Sequence, residues 1–281
     1  MKKGLIVYNR KDAEWNTWYY NRMIELGREY DFDITLVYTE DIYEYDVTDC
    51  DFALMRNRDY KCSKFLEEKG LRLFNPSEVT RICNDKWETY NYFKNLDIPM
   101  MYTQRSKMPY PFVLKPRDGH GGAFVYLIEN EEQYKKALEE IKKDYLSSKM
   151  QNDIDEGELA KVVNEYFIYQ LKATDTGKDL RVYVVGNEII CGMLRKSDTD
   201  FRSNFSLGGR AVSHFPDEEE LKIVNKVTSV FDFSYGGIDI IYHNGKPVLN
   251  ELEDVAGARM VYQNTDINII GLFVEYIKQR L

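Results

Sequence analysis

The sequence of 281 residues lacks several features that mark common classes of protein. It has no apolar run near the roughly 20 residues that a membrane-spanning helix needs. Its four cysteines, at positions 50, 62, 83 and 191, form no C-x-x-C pair, which excludes zinc ribbons and thioredoxin-type sites. Its three histidines have no partners spaced for metal binding or for a catalytic triad. The apolar stretch after Met1 ends at Asn9, so we interpret it as a first strand rather than a signal peptide.

Positive charge is scarcer than negative charge. The chain has 38 lysines and arginines against 47 aspartates and glutamates, a net charge of −9. An acidic protein repels phosphate backbones, so we expect no broad nucleic-acid binding, although a local basic pocket can still hold a nucleotide. Scattered cysteines are typical of free thiols in a reducing compartment. We therefore expect a cytoplasmic protein without membrane partners, and the sequence leaves a homo-oligomer open.

Short strands and helices alternate along the first 83 residues. Strand-like segments lie at 5–8, 33–37, 52–55 and 71–74, and helical segments lie at 15–28 and 62–69. This β-α-β-β-α-β order predicts a small parallel α/β layer. The first helix has apolar residues at a helical spacing, which predicts that they face inward: Trp15, Trp18, Tyr19, Met23 and Leu26. The second half of the chain is richer in hairpins, so we predict an α/β fold with an α+β C-terminal half.

Three carboxylates lie on one predicted hairpin near the C-terminus. Glu251 and Glu253 are two apart on a strand and therefore point to the same face. A two-residue Asn-Gly turn would place Asp239 of the partner strand on the other face, whereas a three-residue loop, His243–Gly245, would place it opposite Leu249 and on theirs. We predict the three-residue loop and a Mg²⁺ site of oxygen ligands. The alternative is a solvated acidic face.

A glycine-rich segment follows a lysine at the end of an apolar strand. Lys115 precedes Asp118–Ala123, which contains three glycines. Glycines let backbone N–H groups approach phosphate closely, and a lysine adds a point charge for the same phosphates. By itself the pattern predicts an ordinary hairpin turn equally well.

Three arginines would concentrate positive charge near the carboxylates. Arg181 and Arg195 fall on the two strands of a predicted hairpin, and Arg202 follows in the run Phe201–Gly209. Taken singly, each arginine is more often part of a surface ion pair. Together, beside a carboxylate cluster, they predict an anion site next to a metal.

The order of these motifs resembles the ATP-grasp superfamily, and most closely its RimK-like carboxylate–amine ligases. The matching stretches are Asn84-Asp-Lys-x-x-Thr with Ile98-Pro99, Val113-Leu-Lys-Pro with the glycine loop, Tyr169-Gln-Leu, Lys178-Asp-Leu-Arg, Phe201-Arg-Ser-Asn, and Gly237-Ile-Asp with Asn250-Glu-Leu-Glu. The resemblance implies a pre-ATP-grasp domain at 1–83, a lid subdomain at 84–165 and a large subdomain with the metal site at 166–281.

The resemblance also implies roles for individual residues. ATP would be bound by Lys86, Lys115, Gly121, Gly122, Gln170, Leu171, Asp179, Arg202, Ser203 and Asn204. Mg²⁺, or Mn²⁺ in its place, would be held by Asp239, Glu251 and Glu253, and the acyl phosphate by Arg181, Arg195 and Arg202. Two positions depart from the usual family residues: Gln170 stands where Glu is usual, and Glu253 where Asn is usual.

The activity that the resemblance implies is the ATP-dependent joining of a carboxylate to an amine. An acyl phosphate would form first, the amine would displace phosphate, and ADP and phosphate would leave. The expected partners are therefore a small-molecule carboxylate and an amine, such as an amino acid or peptide. Two alternatives stay open: a ligase that modifies a ribosomal precursor peptide, and a nucleotide-binding regulatory protein without turnover.

Overall fold

The computed structural model describes residues 1–150, 153–197 and 210–281. In these ranges the chain forms three β-sheets with helices packed against them. The predicted site residues Arg202, Ser203 and Asn204 lie outside the described residues. Among the helices of the described ranges, none combines the length and the apolar character that crossing a membrane requires.

The N-terminal sheet is parallel, as the β-α-β-β-α-β pattern predicts. Its strands, in the spatial order β2-β1-β3-β4, are β1 (Lys2–Tyr8), β2 (Phe32–Tyr38), β3 (Phe52–Met55) and β4 (Arg72–Phe74). Its helices are α1 (Arg10–Trp15), α2 (Thr17–Glu29) and α3 (Tyr60–Glu68). The single helix expected over 15–28 is thus two helices, because Asn16, at φ −115° and ψ 21°, leaves the helical conformation between them.

A smaller antiparallel sheet follows two short helices. The helices are α4 (Ser77–Cys83) and α5 (Lys86–Phe93). The strands, in the spatial order β5-β8-β6-β7, are β5 (Thr103–Gln104), β6 (Phe112–Pro116), β7 (Tyr126–Ile128) and β8 (Phe167–Leu171), and the helices between β7 and β8 are α6 (Glu131–Lys149) and α7 (Glu156–Tyr166). The glycine loop connects β6 to β7, so its two ends belong to the same hairpin.

The third sheet is antiparallel and contains the predicted hairpins. Its strands, in the spatial order β11-β10-β9-β12-β13, are β9 (Asp175–Val185), β10 (Glu188–Lys196), β11 (Arg210–Ser213), β12 (Tyr235–His243) and β13 (Lys246–Glu253). The remaining helices are α8 (Glu218–Val230), α9 (Arg259–Asn264) and α10 (Ile269–Arg280). Helix α8 begins with a capping box, in which Asp217 accepts from the backbone N–H of Glu220 and Glu220 returns the contact.

The β12–β13 loop differs from the prediction. His243 pairs with Lys246, so the loop has two residues, Asn244 and Gly245, both with positive φ. A register shift in β13 then leaves Asn250 as an extra residue, which places Asp239 opposite Glu251 rather than Leu249. The three-residue loop was therefore wrong, and a β-bulge brings Asp239 onto the face of Glu251.

The parallel sheet and the large antiparallel sheet share one hydrophobic core. Buried side chains from β1 and β3, such as Ile6 and Leu54, pack in the same cluster as Tyr183 of β9 and Phe273 of α10. Helix α4 adds Val79 to a second cluster on the other face of the large sheet. The first 83 residues are therefore joined to the rest by apolar packing on both sides, while the three-domain division stays a prediction.

Candidate functional site

The base of the glycine loop is fixed to the start of helix α5. The backbone N–H of Lys86 donates to the carbonyl of Arg117 at 2.8 Å, and Lys86 Nζ donates to the carbonyl of Gly119. Arg117 in turn donates from Nε to Asp85 Oδ1 at 3.2 Å, and Asp85 also caps α5. Gly121 has φ +66°, a conformation that L side chains rarely adopt. The base of the loop is therefore tied down, and its tip adopts a conformation that suits glycine.

The structure brings the predicted nucleotide residues together around one small cavity, which we call the narrow cavity. It lies between the glycine loop, β8 and the β9–β12–β13 region. Every predicted nucleotide residue in the described ranges lines it: Lys86, Lys115, Gly121, Gly122, Gln170, Leu171 and Asp179. Its volume is about 140 Å³, below the roughly 300 Å³ at which ligand pockets usually begin. A whole nucleotide would need more room than this volume offers.

Lys115 is the buried cation of the narrow cavity. Its side chain comes from β6 with only 6% of the residue exposed, and Nζ donates to Asn250 Oδ1 at 3.4 Å. Burial lowers the pKa of this amine from 10.5 to about 8, against the attraction of Glu251. A phosphate at this position would replace a weak neutral partner by a strong anionic one.

The strand expected to contact adenine is partly engaged within the protein. Gln170 is buried, and its Nε2 donates to Thr103 Oγ1 at 3.1 Å. The backbone N–H of Leu171 donates to the Tyr102 carbonyl at 2.9 Å. The Leu171 side chain, 41% exposed, is available to pack against a base. An adenine ring here would be held by apolar contact rather than by the Leu171 N–H.

Asp239 is the centre of a buried ionic network. Arg181 binds it from Nε and Nη2, both at 2.7 Å, and Arg195 Nη2 binds it at 2.8 Å. Arg195 also binds Asp179, with Nε to Oδ1 at 2.8 Å. Burial alone would raise the pKa of Asp239, but the two guanidinium groups more than offset it and hold the pKa below its usual range. Asp239 is therefore ionised and paired.

The two glutamates of β13 face different surroundings. Glu251 lines the narrow cavity and lies 3.5 Å from Lys86 Nζ. Glu253 lines a second, larger cavity, where Arg58 Nη2 donates to its Oε1 at 3.0 Å and Arg181 lies 3.8 Å away. The same-face spacing predicted from the sequence is present. The cationic partners come from other segments and could not be seen in the hairpin sequence.

This larger cavity, which we call the wide cavity, has a volume of about 720 Å³ and adjoins the narrow one at His120 and Gly121. It is lined by five arginines and two carboxylates: Arg56, Arg58, Arg181, Arg195, Arg259, Asp12 and Glu253. Its aromatic side chains are Tyr8, Trp15, Trp18, Tyr19, Tyr183 and Tyr262. The glycine loop thus separates a lysine-lined cavity from an arginine-lined one.

Comparison with known proteins identifies this arrangement. The RimK-like ATP-grasp domain profile matches residues 97–277, more than half of the chain. The chain belongs to the RimK-like ATP-grasp family. As a member of this family it is an ATP-dependent carboxylate–amine ligase. The resemblance in motif order and the predicted fold class are thereby confirmed.

Individual relatives agree with this assignment. Glutamate–LysW ligase ArgX of Sulfurisphaera tokodaii is 29% identical over 233 residues, which cover 77% of this chain and 76% of that protein. A probable alpha-L-glutamate ligase of Legionella pneumophila is 23% identical over 230 residues, covering 77% and 70%. The structure of a D-alanine–D-alanine ligase from Bacillus anthracis complexed with ATP shares the fold, with a TM-score of 0.69 at 14% identity and coverage of 100% and 98%.

The three predicted Mg²⁺ ligands differ in how accessible their carboxylates are. Glu251 and Glu253 are 26% and 20% exposed at the side chain, and each has a carboxylate open to a cavity. Asp239 is 1% exposed and both its oxygens are bound by arginine. Within the described ranges, no group of three or more acidic, histidine or cysteine side chains is arranged to hold a metal. Glu251 and Glu253 fit the ion, whereas Asp239 would first have to release a guanidinium.

Several residues of the site were not singled out as site residues by sequence reasoning. Asp85, which lies inside a quoted motif, and Arg117, which lies between two of them, fix the glycine loop. Asp254, which accepts from Asn84 Nδ2 at 2.9 Å, is buried, and burial raises its pKa to about 7. Trp15 and Trp18 were assigned to the core but are 72% and 53% exposed. Trp15 ends α1 and Trp18 lies in α2, and it is the tertiary packing around these helices that leaves both side chains exposed.

Proposed function

We propose that ATP binds in the narrow cavity of this ligase and that a substrate carboxylate binds beside it in the wide cavity. The observation that carries the proposal is the convergence of seven predicted nucleotide residues on one cavity, next to another lined by five arginines. Lys86 and Lys115 would meet the phosphates, and the glycine loop would cover them with backbone N–H groups. The adenine would pack against Leu171.

The proposed reaction has two bond exchanges. A carboxylate oxygen of the substrate attacks the γ-phosphorus of ATP, and the bond from that phosphorus to the bridging oxygen of ADP breaks. The amine nitrogen then attacks the acyl carbon, phosphate leaves with its oxygen, and the amine loses a proton to solvent. Arg181 and Arg195, which line the wide cavity, supply positive charge beside the acyl phosphate. Arg202 is proposed for the same role from the sequence.

Mg²⁺ is part of the proposal, with Glu251 and Glu253 as its protein ligands and Asp239 as a further ligand on family grounds. When bound, the ion would neutralise charge on the ATP phosphates. Lys86 lies 3.5 Å from Glu251 and Arg58 lies 3.0 Å from Glu253, so the ion would compete with these two side chains for the carboxylates. We propose the boundaries 1–83, 84–165 and 166–281 for the pre-ATP-grasp domain, the lid subdomain with the glycine loop and the large subdomain with the metal site.

The test is an ADP-release screen. Purified full-length protein is incubated with Mg²⁺ and ATP and with pairs drawn from amino acids, dicarboxylates and short peptides. We expect release of ADP and phosphate only when a carboxylate and an amine are both present, and an amide product whose mass is that of the two substrates less one water. Nucleotide binding without ADP release for any pair would instead favour a regulatory protein, and release that requires a longer peptide would favour precursor modification.

A further inference from the structure

Two tryptophans stand exposed at the wide cavity. Trp15 ends α1 and is 72% exposed, and Trp18 lies in the first turn of α2 and is 53% exposed. Both line the wide cavity, and Trp18 makes an edge-to-face contact with Tyr262 at a centroid distance of 5.1 Å. The chain has three tryptophans in all. Large aromatic faces left open to a cavity favour a ligand that can cover them.

A buried guanidinium adds a second, independent observation. Arg56 lines the same cavity with 3% of the residue exposed. Within the described ranges it donates only to neutral oxygens, the Tyr8 hydroxyl and the carbonyls of Val255 and Ala256. Its Cζ lies 4.4 Å from the Tyr19 ring centroid. Buried charges in proteins are normally paired with an opposite charge, so an anionic group is the partner that this site lacks.

The charges of the wide cavity decide which aromatic ligand fits. Arg181 and Arg195 are neutralised by Asp239 and Asp179, and Arg58 is paired with Glu253 and lies near Asp12. Within the described ranges this leaves Arg56 and Arg259 as the cavity's arginines without a carboxylate partner, and their charge disfavours the cationic ligands that tryptophan faces otherwise attract. Guanidinium groups bind carboxylates and also stack on aromatic rings. An aromatic ring and a carboxylate on the same molecule would therefore satisfy both kinds of side chain.

We propose that the substrate in the wide cavity is an aromatic carboxylic acid, either a free aromatic amino acid or its equivalent at a peptide C-terminus. The ring packs against Trp15 and Trp18, and the carboxylate is drawn by the arginines toward the glycine loop. The proposal depends on the ligase function in one respect: the carboxylate bound here is the one that ATP would convert to an acyl phosphate. Its binding can be measured without turnover.

The third tryptophan makes the measurement specific. Trp87 lies in α5, stacked on Tyr90, and does not line the wide cavity. In the full-length Trp87→Phe variant, indole fluorescence therefore reports only on Trp15 and Trp18. Three probes are titrated: N-acetylphenylalanine, N-acetylleucine, which lacks the ring, and N-acetylphenylalaninamide, which lacks only the carboxylate. Two pentapeptides that differ only in ending with phenylalanine or leucine are added, and they distinguish a free acid from a peptide terminus.

We expect the aromatic acid to bind about tenfold more tightly than the leucine analogue, from two aromatic contacts. N-acetylphenylalaninamide should bind at least as weakly as the leucine analogue, because it brings no anion to Arg56. Adding Trp15→Ala and Trp18→Ala together should remove the preference, now measured by calorimetry. Trp18→Phe should keep most of it. Both tryptophans are exposed, so these changes leave the core intact.

Equal affinity for the aromatic and aliphatic acids, in free and peptide form alike, would overturn the proposal, as would an aromatic preference that survives loss of both indoles. The ligase function is tested separately. ADP release with aliphatic acids alone would support the ligase function and refute the aromatic specificity. Aromatic binding without ADP release in any mixture would support the specificity and refute the ligase function.

Discussion

The two cavities on either side of the glycine loop differ in how the chain builds them. The narrow cavity is lined by residues within quoted motifs, such as Lys115 on β6 and Gln170 on β8. The wide cavity combines Trp15 and Trp18 near the N-terminus with Arg58 after β3 and Arg259 at the start of α9. A cavity that binds a common nucleotide can be built from short motifs. One that binds a particular substrate is assembled from segments far apart in sequence.

Arg195 connects the two cavities, and its loss should have the largest effect. It is 4% exposed and joins Asp179, which lines the narrow cavity, to Asp239. We expect Arg195→Ala to lower the free energy of unfolding by about 3–5 kcal/mol, because two buried carboxylates lose a partner. Urea unfolding measures this. Arg81→Ala, which removes exposed ion pairs with Glu78 and Glu88, is the control and should cost about 1 kcal/mol or less. Similar losses for both would mean that the network contributes little.

The paired glutamates of β13 provide the sharpest comparison between the cavities. Glu251→Gln and Glu253→Gln remove the same charge two residues apart, one from each cavity. We expect Glu251→Gln to lower kcat by about 100-fold or more, since Glu251 lines the cavity proposed for the ATP phosphates. Glu253→Gln should lower kcat by only about tenfold, because an amide is usual at this family position. It should also raise the Mg²⁺ concentration that activity requires. The measurement is ADP release over a range of Mg²⁺ concentrations.

Equal losses for the two variants at saturating Mg²⁺ would refute the distinction, and full activity in both would remove the metal from this hairpin.

Lys115 should matter for ATP and not for the carboxylate. We expect Lys115→Ala to weaken ATP binding by about 1.5–3 kcal/mol, the value of a charge-assisted contact, while binding in the wide cavity is unchanged. Calorimetry measures both. Lys172 lines the same cavity but is paired with Glu129 at 2.9 Å, so Lys172→Ala is the matched control and should change ATP affinity much less. Unaltered nucleotide affinity in Lys115→Ala would place the phosphates elsewhere.

A pH effect should also be confined to the narrow cavity. Burial lowers the Lys115 pKa to about 8, so above that pH the free protein loses the charge that phosphate needs. Phosphate binding raises this pKa again, and ATP affinity should fall by about tenfold per pH unit above 8, with uptake of close to one proton. Calorimetry at about pH 9 in buffers of different ionisation enthalpy detects the proton. In Lys115→Arg the charge persists, so uptake should vanish.

The sequence predicted well what depends on local spacing. The parallel order of the first four strands, the hairpin of β9 and β10, and the residues around the narrow cavity follow from periodicity and motif order. Helices α4, α7 and α9 were missed. Helices α4 and α9 have only seven and six residues, whereas α7 has an apolar stripe at a helical spacing, Leu159, Val162, Val163 and Tyr166, that does predict a helix. The turn of the β12–β13 hairpin was misjudged because a bulge at Asn250 compensates for the two-residue loop.

Other features depend on distant contacts and could not be predicted. The pairing of Arg58 with Glu253 joins residues 195 apart in the chain. The exposure of Trp18 depends on where Tyr262 and the α9 region come to lie. The Asp239 network likewise needs the neighbour relation of β12 to β9, which places Arg181 beside Asp239. Each is fixed by tertiary packing rather than by spacing.

The contact of Lys86 with the glycine loop has a consequence for association kinetics. One amine touches the carbonyl of Gly119 and approaches the carboxylate of Glu251, so it spans the narrow cavity from loop to hairpin. The phosphates of an arriving nucleotide compete for that same amine, and they cannot enter while the space is about 140 Å³. In stopped-flow mixing, the observed rate should therefore stop rising at high ATP concentration, at a plateau equal to the rate at which this bridge opens. Replacing Lys86 by methionine should remove the plateau while weakening the complex that finally forms.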